Sequence, residues 1–373
     1  MTRLVIVGAS LAGHRAALEA RRLDPDAEIV LLGEEPHPPY QRPPLSKGLL
    51  AGSVSPERLR LRSRPGAYEL ICEVRAEGLD PDRGVVATTA GEVPYDALII
   101  ATGARPIHPA ALRRANARTL RTLDDALALR KRLVSGSRVV GIGAGFIGLE
   151  IAATAAGRGC SVTVVEGAPR VLPRAVGPDA ARVVASWHEA HGVAVRTGVP
   201  VTALDDEAVA LADGGRIPAD TVVVGLGVRP ATEWLGTSLP VDERLGLVAD
   251  AQGRIAEGIA AAGDVSTWYH PGWGRPVRSE HFETAATQGV LAARSLLGGG
   301  SATWVDVPFG WSDQHGHLLQ VLGLPGEDAE EERRSDTTFA YWREGRLEGF
   351  VLLDAAEELV DRREELARAL GLT

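Results

Sequence analysis

The sequence predicts an α/β chain built on two doubly wound sheets and closed by a small α+β terminal domain. Three observations predict it. An apolar strand, a glycine turn, an Ala/Leu-periodic helix and a second apolar strand follow one another in LVIVGASLAGHRAALEARRLDPDAEIVLLGEE, from Leu4 to Glu35. The same order returns in RVVGIGAGFIGLEIAATAAGRGCSVTVVEG, from Arg138 to Gly167. The tail changes character, with FAYWREGRLEGFVLL reading as a hairpin and Ala355 to Leu370 as an amphipathic helix. The length of 373 residues agrees, since one domain usually takes about 100 to 200 residues.

Taken in order, the strands of both units are continuous apolar runs, as expected for parallel strands covered on both faces. The first helix stops at Asp24-Pro25. The stretch Pro36 to Gly52, PHPPYQRPPLSKGLLAG, reads as an extended loop leading into a short helix, because Pro39, Pro43 and Pro44 restrict the backbone. Strand-like pieces follow at Gly84 to Thr89 and Ala97 to Ala101, then an Arg-rich helical stretch from Asp124 to Leu133. After Gly227 the chain turns polar and irregular, and Gly298 to Gly300 read as a linker. These signals place domain boundaries at 1–108 with 233–305, at 109–232 and at 306–373.

Composition narrows function. Hydrophobic residues at 45% and charged residues at 24% exclude a disordered or coiled-coil chain. A net charge of −9 repels a nucleic-acid backbone, so nucleic-acid binding is not expected. No apolar run reaches the roughly 18 residues that span a bilayer, and no leader precedes Leu4, so no membrane association and a cytoplasmic location are expected. Cys72 and Cys160 are far apart in sequence and offer neither a redox dithiol nor a metal cluster. His315 and His317 would share one face of a strand without a third ligand, so no metal is expected. Lysine occurs only at Lys47 and Lys131, which draws attention to Lys47.

The chemistry lies in the turns. Gly8, Ser10 and Gly13 occupy the three positions of a dinucleotide turn that follows a strand and opens a helix, whose N-terminal amides favour a pyrophosphate. Ser10 replaces the middle glycine. Glu34 closes the next strand, where a carboxylate holds ribose hydroxyls. The second turn, Gly143, Gly145 and Gly148, is complete, and Glu166 closes its following strand. A carboxylate there repels an added 2′-phosphate and favours NADH over NADPH, although Arg170 lies close in sequence. Two Rossmann-like dinucleotide-binding domains in one chain suggest one fixed and one exchangeable dinucleotide, an arrangement that moves hydride between nicotinamide and flavin.

Further motifs extend this reading: PYQRPPLSK, IIATGARP (Ile99 to Pro106), GLGVRPAT (Gly225 to Thr232), AAGDV (Ala261 to Val265), RSEHFETAATQG (Arg278 to Gly289) and PFGWSDQHG (Pro308 to Gly316). With both turns, the chain resembles the FAD-dependent ferredoxin and rubredoxin reductases, which share the glutathione-reductase-like fold with apoptosis-inducing factor, and the resemblance runs from Leu4 to the C-terminal helix. It implies FAD as fixed cofactor and NADH as reductant. Arg42 would meet an FAD phosphate, Lys47 the flavin, and Glu150 would pair with Lys47 and meet the nicotinamide carboxamide. Asp264 would accept a ribitol hydroxyl, and Trp311 would lie beside the flavin. The implied cofactor-binding set also takes in Leu11, Ala12, Ala101, Thr102, Gly103, Arg121 and Gly263. Phe146, Ile147, Gly227, Glu280, His281 and Phe282 complete it.

Two departures bear on the acceptor. Phe282 stands where family members usually carry Trp, and Gly310 where they carry an aromatic, which implies a roomier flavin pocket. The expected function is an NADH:ferredoxin reductase, passing hydride to FAD and then single electrons to a small iron-sulfur carrier that feeds an oxygenase. The alternatives are a self-contained NADH oxidase or small-molecule flavin oxidoreductase, and a redox-sensing interaction protein resembling apoptosis-inducing factor. An acidic carrier needs a basic docking surface, for which Arg58, Arg60, Arg62 and Arg64 form one stretch and Arg113, Arg114, Arg118 and Arg121 another. A monomer or homodimer fits either.

Overall fold

The structure, a computed structural model, describes residues 2–298, 303–326 and 328–372. Of the linker expected at Gly298 to Gly300, residues 299 and 300 lie outside the described residues. By its contacts the chain divides into two units: residues 1–41, 59–105 and 229–308 form the first, and residues 42–58, 106–228 and 309–373 the second.

The first unit is built on a six-stranded sheet in the order Arg254–Ala256, Ile259–Ala261, Ala97–Ile100, Arg3–Val7, Glu28–Leu32 and Glu69–Ile71. All neighbours are parallel except the outermost pair, Arg254–Ala256 with Ile259–Ala261. Alternation along the strands sorts side chains between faces. Val5, Val7, Val30, Leu32, Leu98 and Ile100 meet Ala76, Leu79 and Val86 of a three-stranded antiparallel sheet. Helices Leu11–Leu23 and Phe282–Leu297 pack against each other, so closely that a Cβ on Gly289 would lie 2.2 Å from the Ala12 carbonyl oxygen. The first helix ends at Asp24, whose extended backbone is what the residue before a proline adopts.

The second unit carries a five-stranded parallel sheet in the order Ala194–Thr197, Ser161–Glu166, Arg138–Ile142, Thr221–Val224 and Ala117–Arg118. One face packs on an antiparallel sheet through Val140, Ile142, Val165, Val222 and Val224 against Leu204, Val209 and Leu211. The other face, through Val139, Val162, Val164 and Val223, belongs to a core that continues into the terminal region. There a five-stranded antiparallel sheet runs in the order Phe309–Gln314, His317–Gly323, Arg346–Leu353, Thr338–Arg343 and Glu330–Arg333, followed by helix Leu359–Ala369. The expected hairpin turns at Glu344-Gly345, both with positive φ (52° and 74°), the backbone of a type I′ turn.

Two expectations are corrected. The segment after Gly227 is not irregular: Arg254–Ala256 and Ile259–Ala261 join the first sheet, and Leu247–Ala249, Ser266–His270 and Arg275–Val277 form another. Most of these strands have only three residues, too few for a period to show. His315 does not lie on a strand with His317: it occupies the turn between Gln314 and His317 with φ 55°, followed by Gly316 at φ 87°. The turn residues of a tight hairpin take positive φ, which Gly316 accepts readily and His315 is held to by its neighbours.

Candidate active site

In each unit the glycine turn sits at the carboxyl end of the parallel sheet, where open α/β sheets receive ligands. In the first, Gly8 has φ 119°, and a Cβ would lie 2.1 Å from the Ala101 carbonyl oxygen; a Cβ on Gly13 would meet the Gly8 oxygen at 2.1 Å. Backbone contact therefore demands both glycines. Ser10 is the N-cap, in extended conformation and without a capping side-chain bond, so the helix presents first-turn N–H groups at Leu11, Ala12 and Gly13 that lack intrahelical acceptors.

Ala101, Thr102 and Gly103 leave the neighbouring strand at the same end. Thr102 Oγ1 donates to the Ala231 carbonyl at 2.8 Å, and Ala231 N–H donates to Gly103 O at 2.9 Å, which fixes this crossing. Glu34 is ion-paired with Arg105 at 3.0 Å, a partner the sequence did not reveal. Gly263, with φ 77°, donates its N–H to the buried Gln288 Oε1 at 2.9 Å, so the helix of the TAATQG motif anchors the turn that carries Asp264. His281 is the N-cap of that helix; burial lowers the pKa of its imidazole while the nearby Asp264 opposes the shift. Glu280 holds Arg278 at 3.0 Å, and Phe282 begins the helix.

In the second unit, Gly143 (φ 99°) and Gly148 are again compelled by backbone, with hypothetical Cβ atoms 2.4 Å from Gly225 O and 2.2 Å from Gly143 O. Gly145 differs: no heavy atom lies within 4 Å of its Cβ position. Among the described residues nothing requires glycine there, and the space left open is where a pyrophosphate would approach. Phe146 and Ile147 open the helix, and Ile147 remains 46% exposed. Glu166 accepts from the N–H groups of Ala144 (2.8 Å) and Ala168 (2.9 Å), which hold its carboxylate at the glycine turn. Arg170 is committed elsewhere, donating to the carbonyls of Pro173 and Val176. Leu172, buried at φ 48°, donates its N–H to Ala144 O, a strained backbone spent on fixing the same turn. Gly227 has φ 98°, and a Cβ there would meet the Arg174 guanidinium at 2.7 Å.

The helix opened by this turn, Phe146–Gly157, carries Glu150, only 3% exposed. Lys47 Nζ lies 2.7 Å from Glu150 Oε1. Ser312 Oγ donates to the same oxygen at 2.5 Å, and Ser46 Oγ donates to Oε2. One cation and two hydroxyls thus balance a buried carboxylate that would otherwise be expensive. The Pro-rich segment is tied to this helix by Thr154 Oγ1 donating to Ser46 O (2.7 Å) and by Arg158 Nη1 donating to Ala51 O (2.9 Å). Arg42 Nη1 donates to Arg121 O at 2.6 Å, and the Arg121 N–H is held by Asp125 of the Thr122 capping box.

Trp311 precedes Ser312 on strand Phe309–Gln314, so its side chain takes the opposite face and stacks on Phe309 with ring centroids 6.0 Å apart. The structure therefore brings Lys47 to Glu150 and places Trp311 across the strand from them. Ser46 and Ser312 were missed, although both lie inside recognised motifs; single serines carry no periodicity, and only the fold shows that they converge on Glu150. Cys72 and Cys160 are free, and burial raises the Cys72 thiol, the reverse of an activated thiolate. Among the described residues no group of three His, Cys, Asp or Glu side chains converges as a metal site, and no helix is long and apolar enough to cross a membrane.

Two sheets, each with a dinucleotide turn and an acidic residue at its carboxyl edge, define a two-dinucleotide oxidoreductase. The model of the pyridine nucleotide-disulphide oxidoreductase family matches residues 2–289, and the chain belongs to that family. It is 35% identical, over 97% of its length and 93% of the relative's, to the ferredoxin–NAD(+) reductase component of the anthranilate 1,2-dioxygenase system of Burkholderia cepacia. It is 39% identical to rhodocoxin reductase of Rhodococcus erythropolis, over 86% of this chain and 78% of that one. The fold matches putidaredoxin reductase in its covalent complex with putidaredoxin with a TM-score of 0.92 at 31% identity, covering 99% of this chain and 93% of that one.

Proposed function

We propose that this chain is an NADH-dependent FAD reductase that delivers single electrons to a small ferredoxin-like iron-sulfur protein serving an oxygenase. The observation that carries the reading is the buried Lys47–Glu150 pair on the helix opened by the second glycine turn. Bound FAD would supply the conversion between a two-electron hydride donor and a one-electron carrier. The residues at the first turn, Gly8 to Gly13, with Glu34, Ala101 to Gly103, Gly263 and Asp264, would hold FAD, joined by Arg42, Arg121 and the Glu280-His281-Phe282 segment. Those at the second, Gly143 to Gly148 with Glu166 and Gly227, would hold NADH. Lys47, Glu150 and Trp311 would frame the reacting rings, with Lys47 supplying the positive charge that favours an anionic reduced ring. The functional domains are then 1–108 with 233–305 for FAD, 109–232 for NADH and 306–373 as the terminal α+β domain.

NADH is the proposed reductant because the Glu166 carboxylate, fixed at the turn, would repel a 2′-phosphate, and Nε and Nη2 of Arg170 are engaged by loop carbonyls. Relatives that are reductase components of oxygenase systems support the carrier, and a cytoplasmic location follows from a soluble carrier and NADH. The test is an anaerobic NADH titration of the flavin-loaded protein followed by addition of a ferredoxin. Fast bleaching and carrier-dependent reoxidation are expected; bleaching that recovers only in oxygen would replace the carrier by an oxidase reaction.

A further inference from the structure

Glu150 is one end of a buried row of hydrogen bonds that leads away from the site. Ser312 Oγ donates to Glu150 Oε1 at 2.5 Å, Gln314 Nε2 donates to Ser312 Oγ at 2.9 Å, Gln314 Oε1 lies 2.8 Å from His188 Nε2, and His188 Nδ1 lies 3.2 Å from His315 Nε2. Ser312, Gln314 and His188 are at most 1% exposed, whereas His315 sits in the hairpin turn at the surface. Ser312 and Gln314 share one face of their strand, so a single alternation of the pleat places both in the row.

The direction of every bond follows from the carboxylate. A carboxylate only accepts, so the Ser312 hydroxyl proton points to Glu150 and Ser312 Oγ is left to act as acceptor toward Gln314. Gln314 must then turn its amide nitrogen to Ser312 and its oxygen to His188. That oxygen needs a donor, which fixes His188 as the Nε2–H tautomer with Nδ1 free to accept from His315. Burial lowers the pKa of His188, and that of His315 falls to about 4, first through burial and then through His188, His191 and His317. Both rings are therefore neutral near pH 7, as the accepting Nδ1 requires. The other groups facing them are His191, stacked on His315 at 4.2 Å, and His317, which stacks on Trp187 and is bonded to Asp354 at 2.7 Å.

We propose that His188 is a positioning residue for Glu150: through Gln314 and Ser312 it fixes the donor that holds the carboxylate against Lys47. The proposal rests on the reading of Glu150 as part of the hydride-transfer site, but its first test does not. Because the chain has only Lys47 and Lys131, the protein labelled with 15N-lysine gives two side-chain ammonium signals, and Lys131 is an internal control. In His188→Leu the Lys47 ammonium protons should exchange about tenfold faster, with Lys131 unchanged, as Gln314 loses its partner and the Ser312 donor to Glu150 loses its fixed direction.

In stopped flow, reduction of the bound flavin by NADH should slow about fivefold to tenfold with the KM for NADH unchanged. His188→Gln, whose amide nitrogen can donate near the place of Nε2, should restore both; a merely packing role would leave Gln as impaired as Leu. Ser312→Ala, a smaller perturbation to folding, should reproduce the Lys47 exchange effect. Unchanged Lys47 exchange in His188→Leu, whether or not Ser312→Ala accelerates it, or equal loss in His188→Leu and His188→Gln, overturns the proposal. A wild-type flavin that NADH does not reduce would instead sink the function, while the exchange measurement would still decide the relay.

Discussion

Glu150 is held by three donor side chains from two separate segments, Ser46 and Lys47 on the Pro-rich loop and Ser312 on the terminal sheet, so removing it strands a lysine whose side chain is 19% exposed. Glu150→Ala should leave FAD bound and slow flavin reduction by NADH by about 10² to 10³, the cost of losing one preorganised charged group. Stopped-flow absorbance checks it, and unchanged kinetics would remove Glu150 from the mechanism. At the other acidic residue, Glu166→Ala frees the N–H groups of Ala144 and Ala168. The KM for NADH should rise about tenfold, near 1.4 kcal/mol, with little change in kcat. The preference for NADH over NADPH should shrink with it, measured as the ratio of kcat/KM for the two. Both carboxylates were legible in the sequence, Glu166 from its place at a strand end and Glu150 from the resemblance. The serine donors to Glu150 were not, because Ser46 and Ser312 lie far along the chain from it.

At the scale of elements, two long-range contacts hold helices Phe282–Leu297 and Pro178–Ala190, neither of which the sequence reading picked out. Glu19 on helix Leu11–Leu23 takes Arg22 at 2.7 Å and Arg294 of helix Phe282–Leu297 at 2.6 Å. The bond from Arg22, with that from Arg294 against the opposing effect of burial, lowers its pKa from 4.5 to about 2. A depressed carboxylate contributes stability that is complete above its unfolded pKa and is lost as pH falls through the folded one. Stability of the first unit should therefore fall between about pH 5 and pH 2, and Glu19→Gln should flatten that part of the curve and lower Tm by roughly 2–4 °C near pH 7, about 1 kcal/mol after screening. Thermal melts of both proteins against pH decide it.

In the second unit, Glu331 accepts from the N–H groups of Asp179 (2.7 Å) and Ala180 (3.2 Å) and from Tyr341 Oη, so an edge strand caps helix Pro178–Ala190 from a distance. Gly177 makes room, since a Cβ there would lie 2.5 Å from Glu331 Cδ. Glu331→Ala should cost about 1 kcal/mol by urea unfolding. The helices and apolar strands of the two strand-helix-strand units, and the terminal hairpin and helix, were legible from composition and period. The three-residue strands after Gly227 and the turn at His315 were not: such elements are held by partners far along the chain rather than by local pattern.

For the molecule as a whole, the terminal region reads from sequence as a domain of its own, and its hairpin and helix form as expected. Its core is nonetheless shared. Leu319, Val321, Phe339, Tyr341, Val351 and Leu353 lie in one buried cluster with Leu149, Ile151, Val184 and Trp187 of the same unit. At about 2 kcal/mol for each large apolar side chain, those six residues account for roughly 12 kcal/mol of burial, the size of a domain's whole stability. The same region supplies Ser312 to Glu150 and Glu331 to the helix at Pro178. A chain ending at Pro308 should therefore lose more than its tail: the second unit should show weak near-UV dichroism and bind no NADH in a calorimetric titration, although its glycine turn is intact. A fragment 309–373 alone should be equally unable to hold fixed packing, because its inner face has lost Leu149, Ile151 and Trp187. Normal NADH binding by the shortened chain would mean that the 109–232 segment closes its own core, and the terminal sheet would then be an accessory to the site rather than a wall of the domain that carries it.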